Sequence, residues 1–178
     1  LETMPASHDG YRQGGTYLVV GGAGGIGVAW SRSMIERYDA RLVWIGRRPL
    51  DADIAAKIEA LGRIGHAPEY IPADATDPEA LQRAAERIRV VHPVLHGIVH
   101  SAIDLRDKSL AQMDAADLES AVAAKMAVAV NLDSVFGAQD LDFVMFFSSM
   151  IAFTTGAGQA NYSAGSTFAD SFALGLAQ

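Results

Sequence analysis

A chain of 178 residues, half of them apolar and a fifth charged, is long enough to bury one full core and ordinary in composition for a globular protein. Its 14 basic and 21 acidic residues leave a net charge of −7, which argues against a general nucleic-acid binder, and the lack of cysteine excludes disulfides and thiolate-bound metals. No apolar run is long enough to span a bilayer and no charged-then-apolar leader is visible, so a cytoplasmic location without membrane attachment is expected.

Residues Leu1 to Gly15 are polar, rich in glycine and without period, and read as a linker ahead of one domain over 16–178. Thr16 to Val20 is a buried strand that runs into Gly21-Gly22-Ala23-Gly24-Gly25-Ile26-Gly27 and then, from Gly25 to Tyr38, into a helix. This is either a tight strand-to-helix turn with no ligand or a phosphate-binding turn. In the second case Gly22, Gly24, Gly25, Ile26 and Gly27 bring bare backbone N–H groups and the positive end of a helix dipole to a pyrophosphate. Arg41 to Gly46 is a second strand, followed by Arg47-Arg48 where a dinucleotide-binding sheet holds the adenosine ribose. Two arginines and no acid there favour a 2′-phosphate, hence NADPH over NADH; the alternative is a solvated basic turn.

A helix is expected over Asp51 to Leu61 and a third strand over His66 to Pro72. Asp74, with Ala75 beside it, reads either as a polar strand end or as an acceptor for the adenine amino group. Thr76-Asp77-Pro78-Glu79 starts the next helix, with proline in its first turn. Leu95 to Ser101 is a fourth strand whose histidines, His96 and His100, lack metal-like company and read as structural. One long helix is expected from Asp114 to Phe136, its only basic residue, Lys125, reading as a surface side chain. Phe143 to Ser149 is a fifth strand, Gly156 to Gln159 a turn, and Asn161 to Leu176 a helix with Tyr162 in its first turn. Five strands alternating with five helices predict a Rossmann-like α/β fold, a doubly wound parallel sheet with ligands at the carboxyl ends of its strands.

That topology brings Ser148, Ser149 and Lys125 to the sheet's carboxyl edge, where a nicotinamide would project. A carbonyl that accepts hydride needs a proton donor and a second hydrogen bond to its oxygen. A tyrosine beside an ammonium supplies the first and a serine hydroxyl the second.

Together with the glycine turn, the segments Gly46-Arg47-Arg48, Ala73-Asp74, His100-Ser101-Ala102, Ala124-Lys125-Met126, Phe146-Phe147-Ser148-Ser149 and Gly158-Gln159-Ala160-Asn161-Tyr162 resemble the short-chain dehydrogenase/reductase superfamily. More narrowly they resemble the ketoreductase domains of modular polyketide synthases, from about Gly15 onward. The resemblance implies Tyr162 as proton donor and Ser149 as binder of the carbonyl oxygen, at the family's distance from the tyrosine. It implies Lys125, drawn from the preceding long helix, as the ammonium that eases ionisation of the phenol and holds the ribose. Ser166 falls four residues after the tyrosine, where these ketoreductases usually carry a relay asparagine. Ser101-Ala102-Ile103 takes the place of the segment that packs on the nicotinamide ribose, with Ile103 where glycine is usual.

The implied activity is NADPH-dependent reduction of a β-ketoacyl thioester on an acyl carrier protein, beside other domains of a polyketide synthase. Rivals are a non-catalytic scaffold module and a free-standing reductase of small ketones. The family continues for two more strands and a lid, so the resemblance implies an incomplete domain with an open sheet edge at strand five. Leu105-Arg106-Asp107 partly matches the motif of ketoreductases that yield the D-configured alcohol.

Overall fold

A computed structural model describes residues 10–154 and 156–177. Five strands, β1 (Thr16–Val20), β2 (Arg41–Gly46), β3 (Glu69–Pro72), β4 (Gly97–His100) and β5 (Phe143–Phe146), pair in parallel in the order β3-β2-β1-β4-β5. Between and after them run α1 (Gly25–Tyr38), α2 (Ala52–Gly62), α3 (Pro78–Val91), α4 (Ala115–Ala123), α5 (Met126–Phe136) and α6 (Ala160–Leu176), with one 3₁₀ turn at Met150–Ala152. The chain builds outward from β1 to β3 and then returns to lay β4 on the other side of β1. The strand order therefore reverses at β1 and β4, and the crevice of such a sheet opens there.

Alternation along β1 explains why both faces are covered. Leu18 and Val20 point to one side, where they meet Leu81 and Ile88 of α3 and Val128, Leu132 and Phe136 of α5. Tyr17 and Val19 point to the other, onto Met34 and Ile35 of α1 and Leu61 of α2. Trp44 is fully buried on this second face, and its indole N–H donates to Ser31 Oγ at 2.9 Å. Burying each such side chain is worth about 1.5–3 kcal/mol, so the sheet core dominates stability.

The helix starts follow from local chemistry. Asp51 caps α2 by accepting from Ile54 N, Asp77 caps α3 ahead of Pro78, and Asp114 caps α4 by accepting from Asp117 N. By contrast α1 has no side-chain cap and no acid in its first turn.

Several boundaries differ from the sequence reading. The helix expected over Asp114 to Phe136 is two helices, broken at Ala124 and Lys125, where Lys125 N bonds back only three residues to the Val122 carbonyl. Strand β5 ends at Phe146, four-residue β3 and β4 are shorter than expected, and the α-helices among the described residues number six rather than five. The first nine residues of the proposed linker lie outside the described residues. Beyond them, Tyr11 packs edge-on against Tyr38 and Phe143, with ring centroids 5.2 and 5.4 Å away, and Arg12 pairs with Asp142. No helix among the described residues is long and apolar enough to cross a membrane.

Candidate active site

At the end of β1 the chain turns through Gly21, whose φ of 82° is in the left-handed region, and whose carbonyl accepts from Gly24 N at 2.9 Å. The space around the turn is used in different ways. A Cβ on Gly22 would run into the Trp44 ring, and one on Gly27 into the Gly21 carbonyl, whereas one on Gly25 would meet nothing within 4 Å. Gly22 and Gly27 therefore permit close packing, while Gly25 leaves the first turn of α1 bare on its outer side. Ile26 is half exposed beside it.

Next to this turn opens a cavity of about 300 Å³. Of the residues expected to hold a dinucleotide, Gly24, Arg47, Arg48, Asp74, Ala75, Ser101 and Ala102 line it, and Ile103 does too. A nicotinamide dinucleotide fits this set: an uncapped helix start faces open space, two guanidiniums stand at the end of β2, and the glycines leave room for backbone contact. Arg47 lies 3.6 Å from the largely buried carboxylate of Asp104, which follows β4, so that ion pair spans the end of β1. Asp74 Oδ1 accepts from the Thr76 N–H and hydroxyl at 2.9 and 2.8 Å, and Asn131 donates to the carbonyls of Ala75 and Thr76. The Ser101 hydroxyl is bonded to the Val20 carbonyl at 3.0 Å and so fastens β4 to β1.

A second group of side chains gathers past the ends of β4 and β5, outside the cavity lining but adjoining it through Ala124. Lys125 is not on the surface as its sequence context suggested; it is 3 % exposed. Its ammonium donates to the Phe147 carbonyl and stands 5.8 Å from the centroid of the Tyr162 ring. Burial pulls the Lys125 pKa down from the usual lysine value, and the Asp170 carboxylate opposes the shift. Helix α6 can pass this closely because residue 165 is glycine; a Cβ there would come within 3.1 Å of Lys125 Cβ and Cγ.

Ser149 follows β5, and its Oγ accepts from Ile151 N at 3.3 Å, capping the 3₁₀ turn. Ser163, one residue beyond Tyr162, donates to the Ile151 carbonyl at 3.0 Å and so holds that turn against the start of α6. Ser148 instead donates weakly, at 3.5 Å, to the Ser166 carbonyl. Ser166 itself is fully buried and its hydroxyl has no hydrogen-bond partner among the described residues. Asn161 is also fully buried. Its Oδ1 accepts from Tyr162 N at 2.8 Å and its Nδ2 donates to the Arg106 carbonyl at 2.9 Å, so the loop after β4 and the tyrosine backbone share one anchor.

Residues 15–178 match the KR domain. The chain belongs to the KR, or ketoreductase, domain family. It is 49% identical over 171 residues to polyketide synthase PksN of Bacillus subtilis, and 45% identical over 177 residues to polyketide synthase ThaG of Burkholderia thailandensis. These matches cover 96% and 99% of this chain and 3% of either synthase. Among solved structures, a ketoreductase domain from the bacillaene assembly line superposes with a TM-score of 0.89 at 30% identity, over 98% of this chain and 43% of that one. An N-terminal ketoreductase from the macrolactin assembly line gives 0.87 at 30% identity, over 90% of this chain and 33% of that one. KR domains are oxidoreductases of the short-chain dehydrogenase/reductase type and bind a nicotinamide cofactor.

Within this KR domain, the sequence alone assigns no role to Gly165 or Asn161. A glycine inside a helix costs about 1 kcal/mol relative to alanine, and that cost was the available signal for Gly165. Asn161 stands out in the sequence only as part of the segment Gly158 to Tyr162 and as a polar residue at a helix start.

His100, structural on its sequence context, is enclosed by the fold. Its ring is 1 % exposed, neither nitrogen has a hydrogen-bond partner of normal geometry among the described residues, and it meets the Phe146 ring edge-on at 6.0 Å. Burial, helped by the nearby Lys125 ammonium, lowers its pKa from 6.5 to about 4. The folded state therefore refuses a proton that the unfolded chain accepts near pH 6.5. The resulting stability is complete above pH 6.5 and is lost as pH falls to about 4, in all about 3 kcal/mol. Urea unfolding at a series of pH values should show a steeper loss over that window for the wild type than for His100→Asn.

Proposed function

We propose that this KR domain carries out NADPH-dependent reduction of a β-ketoacyl thioester, held on the phosphopantetheine arm of an acyl carrier protein, to the β-hydroxyacyl thioester during polyketide biosynthesis. The observation that carries the reading is the buried Lys125 ammonium set against the Tyr162 ring, adjoining a cavity with the glycine turn on one side and two arginines on another.

Gly24 and the open first turn of α1 would hold the pyrophosphate, Arg47 and Arg48 the 2′-phosphate, and Asp74 the adenine edge. When bound, the reduced nicotinamide supplies the hydride that adds to the carbonyl carbon. Tyr162 gives its phenolic proton to the carbonyl oxygen, so that one C–H and one O–H bond form as the C=O π bond breaks. The Lys125 ammonium stands against the Tyr162 ring, and the tyrosine regains its proton from solvent after the transfer. Ser149 suits the role of oxygen binder, since its Oγ accepts from Ile151 N and leaves its own proton free to donate. Ser148 spends its proton on Ser166.

Mass spectrometry of the carrier-bound acyl chain tests the assignment. With NADPH present, the chain should gain the mass of one hydride and one proton, and carrier-bound thioester should be consumed in preference to a free ketone. Equal use of a free ketone would favour a free-standing reductase, and NADPH binding without any mass gain would favour a scaffold.

A further inference from the structure

Behind the arginine pair stands a carboxylate that the cavity lining does not include. Arg48, which lines the cavity, donates from Nη2 to Asp53 Oδ2 at 3.1 Å. The same oxygen accepts from Lys57 Nζ at 2.7 Å, one helical turn along α2. Lys57 Nζ also donates to the carbonyl of Ala23, in the glycine turn, at 3.1 Å. One acid thus sits between two cations, one facing the place where a 2′-phosphate would lie and the other touching the turn that would hold the pyrophosphate. The two hydrogen bonds, from Lys57 first and Arg48 second, hold the Asp53 carboxyl below the usual carboxylate range, so it is charged at neutral pH.

Resting on the dinucleotide reading above, we propose that Asp53 is a specificity-determining residue: by competing for Arg48, it sets how strongly the site prefers a 2′-phosphorylated adenosine to one with a free 2′-hydroxyl. Competition, rather than positioning, is its role because both cations have other anchors. Arg48 Nη1 pairs with Asp51 at 3.1 Å, and its carbonyl accepts from the Tyr70 hydroxyl at 2.6 Å. Lys57 keeps the Ala23 carbonyl. Asp51 caps α2, whereas the carboxylate of Asp53 touches only these two cations. The change Asp53→Asn therefore removes charge and leaves the cations in place.

The test is equilibrium binding of 2′,5′-ADP and 5′-ADP to the wild type and to Asp53→Asn, at low and high salt, with NADPH as a reference ligand. Asp53→Asn should bind 2′,5′-ADP about three- to tenfold more tightly, change 5′-ADP binding by less than about twofold, and lose most of its gain as salt rises. Unchanged or weaker 2′,5′-ADP binding by Asp53→Asn, when the wild type binds NADPH, overturns this proposal alone. A wild type that binds neither NADPH nor 2′,5′-ADP overturns the dinucleotide reading, and this proposal with it.

Discussion

Replacing Tyr162 with phenylalanine should lower the rate of carbonyl reduction by about 10²–10⁴-fold, the usual contribution of a positioned general acid, while leaving NADPH affinity nearly unchanged. The substitution deletes one oxygen. The ring that stands over the Lys125 ammonium remains, as do the backbone bond from Tyr162 N to Asn161 and the Ser163 bond to the 3₁₀ turn. Tyr162 is not among the residues that line the cavity beside the glycine turn. Single-turnover reduction and a fluorescence titration of NADPH separate the two effects. Full activity in Tyr162→Phe would mean that another group donates the proton.

Gly21→Ala should destabilise the fold by about 3–5 kcal/mol, the sum of a left-handed φ imposed on alanine and an overpacked contact. The new Cβ would lie 2.7 Å from Ala102 N, 2.8 Å from Ala102 Cα and 3.0 Å from the Ser101 carbonyl carbon. These are backbone atoms of the segment leaving β4. They cannot retreat cheaply, because both the N–H and the hydroxyl of Ser101 bond to the Val20 carbonyl at the end of β1. Gly25→Ala is the informative contrast, since its Cβ meets nothing. It should keep the urea midpoint of the wild type and weaken NADPH binding. A Gly21→Ala protein as stable as the wild type would contradict the tight contact between β1 and β4.

The sheet was legible because its signals are local. The unbroken apolar run Tyr17 to Val20, the caps at Asp51, Asp77 and Asp114, and the proline at 78 each act within a few residues. The break between α4 and α5 was not legible. No glycine or proline interrupts Asp114 to Phe136, and the break coincides with a long-range bond from the Lys125 ammonium to the Phe147 carbonyl. For the same reason composition placed Lys125 at the surface, while its match to the family pattern placed it beside Tyr162. Residues whose work depends on packing escaped notice. Gly165 matters because Lys125 lies against it. Asn161 matters because it ties Tyr162 to the Arg106 carbonyl. The spacing of Asp53 and Lys57 suggests an ordinary helix pair, and only the fold reveals that Lys57 reaches the glycine turn and that Arg48 shares the acid.

NADPH carrying deuterium at the transferable position tests whether a dinucleotide held at the β1–β4 crevice would supply hydride to the β-carbon of a β-ketoacyl thioester whose keto oxygen is protonated by Tyr162. A ketoreductase polypeptide carrying this sequence should place one deuterium on the β-carbon of the product, and its Tyr162→Phe variant should form almost no labelled product. Binding of NADPH by the wild type with no deuterium in the acyl chain would contradict hydride transfer to the β-carbon.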